Sequence, residues 1–259
     1  MKDMLKSFAA LLISIVVVHL FYIGYVRPEA AQLIEFAVSQ GQTAPRDIAV
    51  IIKDYEQEIC FILMLWGCYL ILSAYRNILK TKYLFSVDLI KDVHSQAEDT
   101  DAKHTLDVNA IIHRLDTEIP ADCMQSPLVR TLRSSLWRYS STNNVQNLSD
   151  AIESNLEALA VKQDSENTMI RYLIWAIPSI GFIGTVRGIG QALSQADKAL
   201  AGDISGMTDS LGIAFNSTLV ALLISIFLMF LFHQLQRLQD SQIVDTQDYC
   251  DKFLLRRIR

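Results

Sequence analysis

Four apolar runs, of 15 to 22 residues, constrain the fold of this 259-residue chain more than any other feature. A helix needs about 20 mostly apolar residues to cross roughly 30 Å of hydrocarbon, and lipid offers no partner for an unpaired backbone amide. The apolar share of the chain, 51%, suits a membrane protein. The sequence predicts an all-α polytopic membrane protein with spans at Phe8–Val26, Ile59–Tyr75, Tyr172–Val186 and Leu211–Phe232.

The first run also has a feature of secretory signal peptides, because Lys2 and Lys6 precede it. It is longer than the usual apolar region of roughly 7–15 residues, and no A-x-A-like cleavage site precedes Arg27. A membrane span is therefore the favoured interpretation.

Lysine and arginine placement predicts the orientation of the chain. Most basic residues lie at the N-terminus, between the second and third spans, and in the C-terminal tail. We expect these segments in the cytoplasm and the chain in the bacterial inner membrane. The expected division is two peripheral spans with an external loop, a cytoplasmic helical domain, two pore-lining spans and a cytoplasmic C-terminal helix, at residues 1–79, 80–168, 169–236 and 237–259.

The segments outside the membrane show helical patterns. Apolar residues recur on one face of Thr105–Glu118, and Ser126 before Pro127 predicts a capped helix start. From Asn147 no Gly or Pro interrupts the chain until Pro178, which favours one helix rising into the membrane. A similar extension follows the fourth span. Either these extensions only close a helical bundle, or they also carry contacts between neighbouring copies.

Several function classes find no support in the sequence. A net charge of -5 offers no basic face for nucleic acid. The four cysteines form no CxxC pair and are expected to remain free thiols, so no metal site is predicted. No Ser-His-Asp grouping or phosphate loop is visible, and an enzyme is not expected.

Small residues form stripes on the last two spans. The stripe on the third span contains Gly181, Gly184 and Gly188, and that on the fourth contains Ala214, Ser217 and Ala221. Such stripes let transmembrane helices approach closely, and plain helix packing is enough to explain them.

Two threonines interrupt the same apolar helices. The hydroxyls of Thr185 and Thr218 can bond back to their own helices or can line a hydrated path. Neither span contains Asp, Glu, Lys or His, in Tyr172–Val186 or in Leu211–Phe232. Because a proton relay needs an ionisable group in the membrane, this helix pair cannot supply one by itself.

The run from Pro178 to Ile189, with its Gly-Thr-Val triplet, resembles the third-span motif of the MotA/TolQ/ExbB proton channel family. The segment Ala214-Phe215-Asn216-Ser217-Thr218-Leu219 is similar to the family's following span. Four spans with cytoplasmic termini resemble MotA, whereas the Gly-Thr-Val spelling resembles TolQ, ExbB and ZorA.

The resemblance implies a homopentamer around two copies of a single-span partner of the MotB, ExbD, TolR or ZorB kind, whose membrane aspartate carries the ion. Thr185, Thr218 and Ser217 would line the ion path, while Pro178 and the small residues would shape it. No cofactor is implied, and protons are the expected ion, with sodium as the alternative. The subunit would then help convert ion-motive force into mechanical work.

Arg187 departs from the family's usual apolar residue at its position. It could snorkel to the membrane surface, pair with Asp197 or contact the partner. His19 and Glu58 are expected to serve packing or an interface, with a place in the ion path as the alternative. A rival to the whole account is a membrane-anchored helical scaffold or sensor that transports no ion.

Overall fold

The computed structural model describes residues 2–40, 45, 47–90, 108–120 and 123–258, and regular structure in these ranges is helical throughout. Four helical stretches are long and apolar enough to cross a membrane: Leu5–Ser39, Tyr55–Ser86, Val145–Leu193 and Ser205–Leu255. The predicted all-α chain with four spans is thereby confirmed. Residues 105–107 of the helix expected to start at Thr105 lie outside the described residues.

Four helices form the first two spans and the segment between them. Helix α1 (Lys2–Phe21) continues through a π-helical turn (Tyr22–Val26) into α2 (Arg27–Ser39), so the helix extends well past the end of the apolar run. Pro28 does not stop it, and it lies just after the π-helical turn, in the first turn of α2. The short α3 (Ile48–Ile51) follows, and then α4 (Tyr55–Thr81).

The remaining helices include two very long ones. They are α5 (Val108–Glu118), α6 (Pro127–Thr142), α7 (Val145–Leu193), α8 (Ala196–Leu200), α9 (Ser205–Tyr249) and α10 (Arg256–Ile258). A 3₁₀ turn (Lys82–Ser86) follows α4, and a π-helical segment (Cys250–Leu255) follows α9. The predicted continuous helix through Pro178 and the extension beyond the fourth span are both confirmed.

The chain divides into two compact units. Unit 1 comprises residues 1–73 and 168–234, and unit 2 comprises residues 74–167 and 235–259. Each long helix, α7 and α9, therefore contributes one part to each unit. Unit 1 contains the apolar runs recognised in the sequence.

Unit 2 has its own apolar core. Leu132 and Leu136 of α6 pack with Leu148 of α7, and all three side chains are fully buried. Helix α6 begins as the sequence predicts, since Ser126 accepts a hydrogen bond from the Val129 amide and Pro127 takes the first helical position. The Tyr249 hydroxyl accepts from the Leu89 amide at 2.7 Å and donates to the Val87 carbonyl at 2.8 Å.

Buried amides join α7 and α9 inside unit 2. Asn167 donates to Gln239 at 2.7 Å and accepts from it at 3.2 Å, and Gln163 donates to Gln242 at 3.2 Å. An amide that loses its partner in a buried position keeps its full desolvation penalty. Sliding one helix past the other would break these bonds, so the amides specify the register of the two helices.

We expect Asn167→Leu to destabilise the protein by about 1–3 kcal/mol, because Gln239 is left buried and unpaired. The double variant Asn167→Leu/Gln239→Leu should recover most of that loss. Thermal denaturation in detergent measures both, with the exposed Gln247→Leu as control. Equal losses in the single and double variants would contradict the pairing.

Candidate functional site

The third and fourth spans meet along their small residues. A methyl group added at Gly188 would lie 2.7 Å from the Ala214 amide nitrogen, and one added at Gly184 would lie 2.6 Å from the Ser217 side chain. Gly181 faces Ala221 in the same way. The backbones of α7 and α9 are therefore so close that only hydrogen fits at these three glycines.

We call the line of contact between α7 and α9 at these three glycines the glycine seam. Two threonine hydroxyls meet beside this seam. The Thr185 and Thr218 hydroxyls are hydrogen-bonded to each other, and Thr185 also lies 3.0 Å from the Ala214 carbonyl oxygen. The Gly181 carbonyl is 3.3 Å from Thr185 and 3.4 Å from Thr218. Both side chains are half-buried. The structure thus brings together two residues that are 33 positions apart in the sequence.

Ser217 lies next to the pair but faces the seam itself. Its hydroxyl donates to the Ile213 carbonyl of its own helix at 2.9 Å, and the residue is buried. The threonine hydroxyls differ, because each lies within reach of a carbonyl oxygen of the opposite helix. Ser217 contributes close packing with Gly184 here, and its hydroxyl is already used.

Pro178 removes one backbone bond from α7, and the fourth span compensates for it. A proline has no N–H, so the carbonyl four residues earlier, that of Ile174, loses its helical donor. The Ser225 hydroxyl donates to this carbonyl at 2.9 Å. A hydroxyl from a neighbouring helix is a common solution to a proline in a transmembrane helix.

A bidentate ion pair lies at the other side of Gly184. The guanidinium of Arg187 donates to Glu56 at 2.6 Å (Nε to Oε1) and 2.8 Å (Nη2 to Oε2). Glu56 is only 8% exposed, and its Cγ would be 3.2 Å from a methyl group added at Gly184. The partner of Arg187 is therefore the second span, and the pairing with Asp197 considered from the sequence was wrong.

Asp54 completes this cluster. Its Oδ1 lies 3.7 Å from Arg187 Nη2, while its Oδ2 is buried without a hydrogen-bond partner among the described residues. Burial raises the pKa of the Asp54 carboxyl above its ordinary value, with Lys53 and Arg187 opposing the shift. One arginine thus faces two carboxylates, and only Glu56 is fully paired with it.

A further carboxylate, that of Glu58, links the first two spans. It is 5% exposed, its Oε1 lies 2.6 Å from His19 Nδ1, and its Oε2 accepts a hydrogen bond from Arg27. Arg27 also lies over the Tyr55 ring, 4.4 Å from its centroid. His19 and Glu58 thus contact each other, which the sequence, where they are 39 positions apart, did not indicate.

A known protein family matches part of this chain. The sequence model described as the MotA/TolQ/ExbB proton channel family matches residues 122–248. Residues 122–248 of this chain, which include the third and fourth spans, belong to that family. No curated protein and no solved structure matches the chain. Members of the MotA/TolQ/ExbB family are channel and energy-transduction proteins that form oligomeric complexes with single-span partners.

The MotA/TolQ/ExbB match includes one side of the site and leaves out the other. It spans the glycine seam, the threonine pair and Arg187. Asp54 and Glu56 precede the matched residues. The carboxylates that face Arg187 therefore belong to a part of this chain for which the family match gives no guidance.

Sequence reasoning missed the role of Glu56. The signal that could have found it is Arg187 itself, because a charged residue at the end of an apolar helix usually pairs with another ionisable group. The acidic start of the second span, Asp54 to Glu58, offered three candidates, and spacing alone does not choose among them.

The seam predicts a large difference between two neighbouring glycines. Gly188→Ala places a methyl group 2.8 Å from the Ser210 carbonyl oxygen and should destabilise the protein by about 1–3 kcal/mol. Gly190→Ala meets nothing within 4 Å and should be neutral or slightly stabilising, since alanine is the better helix former. Thermal denaturation compares the two. Equal effects would contradict the close approach at Gly188.

The ion pair predicts a non-additive pair of substitutions. Arg187→Leu leaves Glu56 charged and buried, so we expect a loss of about 2–4 kcal/mol. Adding Glu56→Leu to the same chain should recover most of that loss, because no unpaired charge remains. Thermal unfolding of both single variants and the double variant gives the coupling free energy. Strict additivity would show that the two side chains do not interact.

Proposed function

We propose that this chain is the ion-conducting subunit of an ion-driven motor that works with a single-span partner. The observation that carries the proposal is the Thr185–Thr218 hydroxyl pair, held beside a glycine seam in two apolar spans. Half-buried hydroxyls offer hydrogen bonds to a group on a third helix. Membership of the MotA/TolQ/ExbB family supports the same function.

The ionisable group that binds and releases the ion should belong to the partner. Spans three and four carry no Asp, Glu, Lys or His in Tyr172–Val186 and Leu211–Phe232. A hydroxyl can donate or accept a hydrogen bond, but it does not hold an extra proton at neutral pH. A membrane carboxylate on the partner would meet the threonine pair, accept the proton there and release it on the other side.

Protons are the ion that we propose. A protonated carboxyl is neutral and donates one hydrogen bond, which a threonine hydroxyl can accept. Sodium would need several oxygen ligands around it. The two hydroxyls already lie within hydrogen-bond distance of each other and of the Gly181 and Ala214 carbonyls, which favours hydrogen bonding over ion coordination.

The proposed assembly is a pentamer of this chain around two copies of the partner in the bacterial inner membrane. The excess of basic residues in the termini and in the segment between spans two and three supports a cytoplasmic location for all three. In this arrangement residues 1–79 hold the peripheral spans and the external loop. Residues 169–236 line the pore, and residues 80–168 and 237–259 lie in the cytoplasm.

The test is proton uptake by vesicles that contain this chain and its partner. Thr185→Val and Thr218→Val keep the side-chain shape and remove the hydroxyl, so each should lower the proton flux at least tenfold. Thr208→Val is the matched control, because the Thr208 hydroxyl donates to the Ile204 carbonyl of its own helix at 3.0 Å and is exposed. It should leave the flux unchanged.

Two results would contradict the proposal. Unchanged flux in both threonine variants would remove the hydroxyl pair from the ion path. An absence of any flux from the assembled complex, under an imposed proton gradient, would favour the membrane-anchored scaffold instead. Repeating the assay with sodium replaced by potassium separates proton from sodium transport.

A further inference from the structure

An acidic groove lies on the surface of unit 2. It is a cavity of about 400 Å³ between the first turns of α7 and the C-terminal end of α9 with the segment that follows it. Its floor is apolar, and its rim carries three carboxylates. The floor residues are Ile152, Leu156, Ile243 and Leu255, and the rim residues are Glu153, Glu157 and Asp251. We call this cavity the acidic groove.

Lipid does not explain the apolar floor. The three rim carboxylates are exposed, and exposed carboxylates are costly at membrane depth. Glu153 and Glu157 also form no ion pair within the described residues. The groove therefore combines an unfilled apolar floor with glutamate charge that has no ion-pair partner in the described part of the chain.

A basic face with one large apolar side chain lies on α6 of the same unit. Trp137 is 67% exposed, more than any other large apolar residue of unit 2 outside the four candidate spans. Arg130 and Arg138 are also exposed. Arg130 lies two turns before Trp137 on the same face of the helix, whereas Arg138 follows Trp137 directly and lies roughly 100° further round. We call these three residues the α6 face.

The two surfaces cannot meet within one copy. Helix α6 contacts α7 on the side of Asn155, whose side chain donates to Ser134 at 3.3 Å. Glu153 and Glu157 are each two residues from Asn155, so at about 3.6 residues per turn they lie nearly half a turn away from that contact. A copy therefore presents the α6 face on one side of α7 and the acidic groove on another.

We propose that the α6 face of one copy binds in the acidic groove of the next copy. The charges are complementary, with two arginines facing three carboxylates, and an indole is smaller than the cavity. Trp and Arg are the residues most often found at the energetic centre of protein interfaces. Because the two surfaces differ, the contact is head-to-tail, which closes a ring or extends a chain of copies.

Anionic lipid is a weaker occupant for the α6 face. An interfacial helix buries a whole apolar stripe in the membrane surface. The apolar stripe of α6, including Leu132 and Leu136, is already buried in the core of unit 2. A single exposed tryptophan remains, and one such side chain fits a cavity in a protein better than a membrane surface.

The inference uses the oligomer included in the proposed function, but it does not need ion conduction. Cysteine crosslinking in native membranes tests it with the full chain. Trp137→Cys and Glu153→Cys in one chain should give, on oxidation, a ladder of products that extends beyond dimers. Each single variant and the parent chain, whose own cysteines are mostly buried, should give no such ladder.

Charge reversals then test what holds the contact together. In the double-cysteine chain, Arg138→Glu and Glu157→Lys should each lower the ladder yield at least tenfold. Lys162→Glu makes the same change of charge as Arg138→Glu at an exposed residue outside both surfaces, and it should leave the yield unchanged.

Three results would overturn the inference. A double-cysteine chain that crosslinks no more than the parent would show that the surfaces do not meet. Dimers from Trp137→Cys alone would place α6 against α6. A loss of yield with Arg138→Glu but not with Glu157→Lys would assign the α6 face to anionic lipid. In each case the proton flux of the parent chain would still stand as separate support for the proposed function.

Discussion

The close approach of α7 and α9 at their glycines is the constraint on which the candidate site depends. At Gly188 an added methyl group would lie within 3 Å of the Ala214 backbone, so the helices are separated by little more than hydrogen atoms. That distance allows the Thr185 hydroxyl to reach a carbonyl oxygen of the opposite helix. It also brings Ser225 to the carbonyl that Pro178 leaves without a donor. Packing and hydroxyl placement are thus consequences of one seam.

Charge is arranged around this seam rather than inside it. The Arg187–Glu56 pair borders Gly184 on the side of the second span, and the Glu58 cluster ties the first two spans together. These pairs satisfy charges that would be costly next to lipid. Within Tyr172–Val186 and Leu211–Phe232 no side chain is charged. The fixed charges therefore lie on the first two spans and, as Arg187, on the third, whereas the hydroxyl pair lies between the third and fourth spans.

Much of the fold could be predicted from the sequence because its strongest signals are local. Length and apolarity gave the four spans, and the run without Gly or Pro from Asn147 predicted the continuous helix. Ser126 and Pro127 marked the start of α6. The long-range contacts could not be obtained in this way. Arg187 had several carboxylates to choose from, and the stripe of glycines gave no register that would place Glu56 rather than Asp197 beside it.

The central claim is that this chain forms the wall of an ion path whose moving charge lies on a partner. The most direct measurement is proton uptake by vesicles containing this chain alone, this chain with its single-span partner, and this chain with a partner whose membrane Asp is changed to Asn. The account predicts uptake only in the second preparation. Equal uptake in all three preparations would show that this chain conducts protons without the partner's carboxylate, and would contradict the claim.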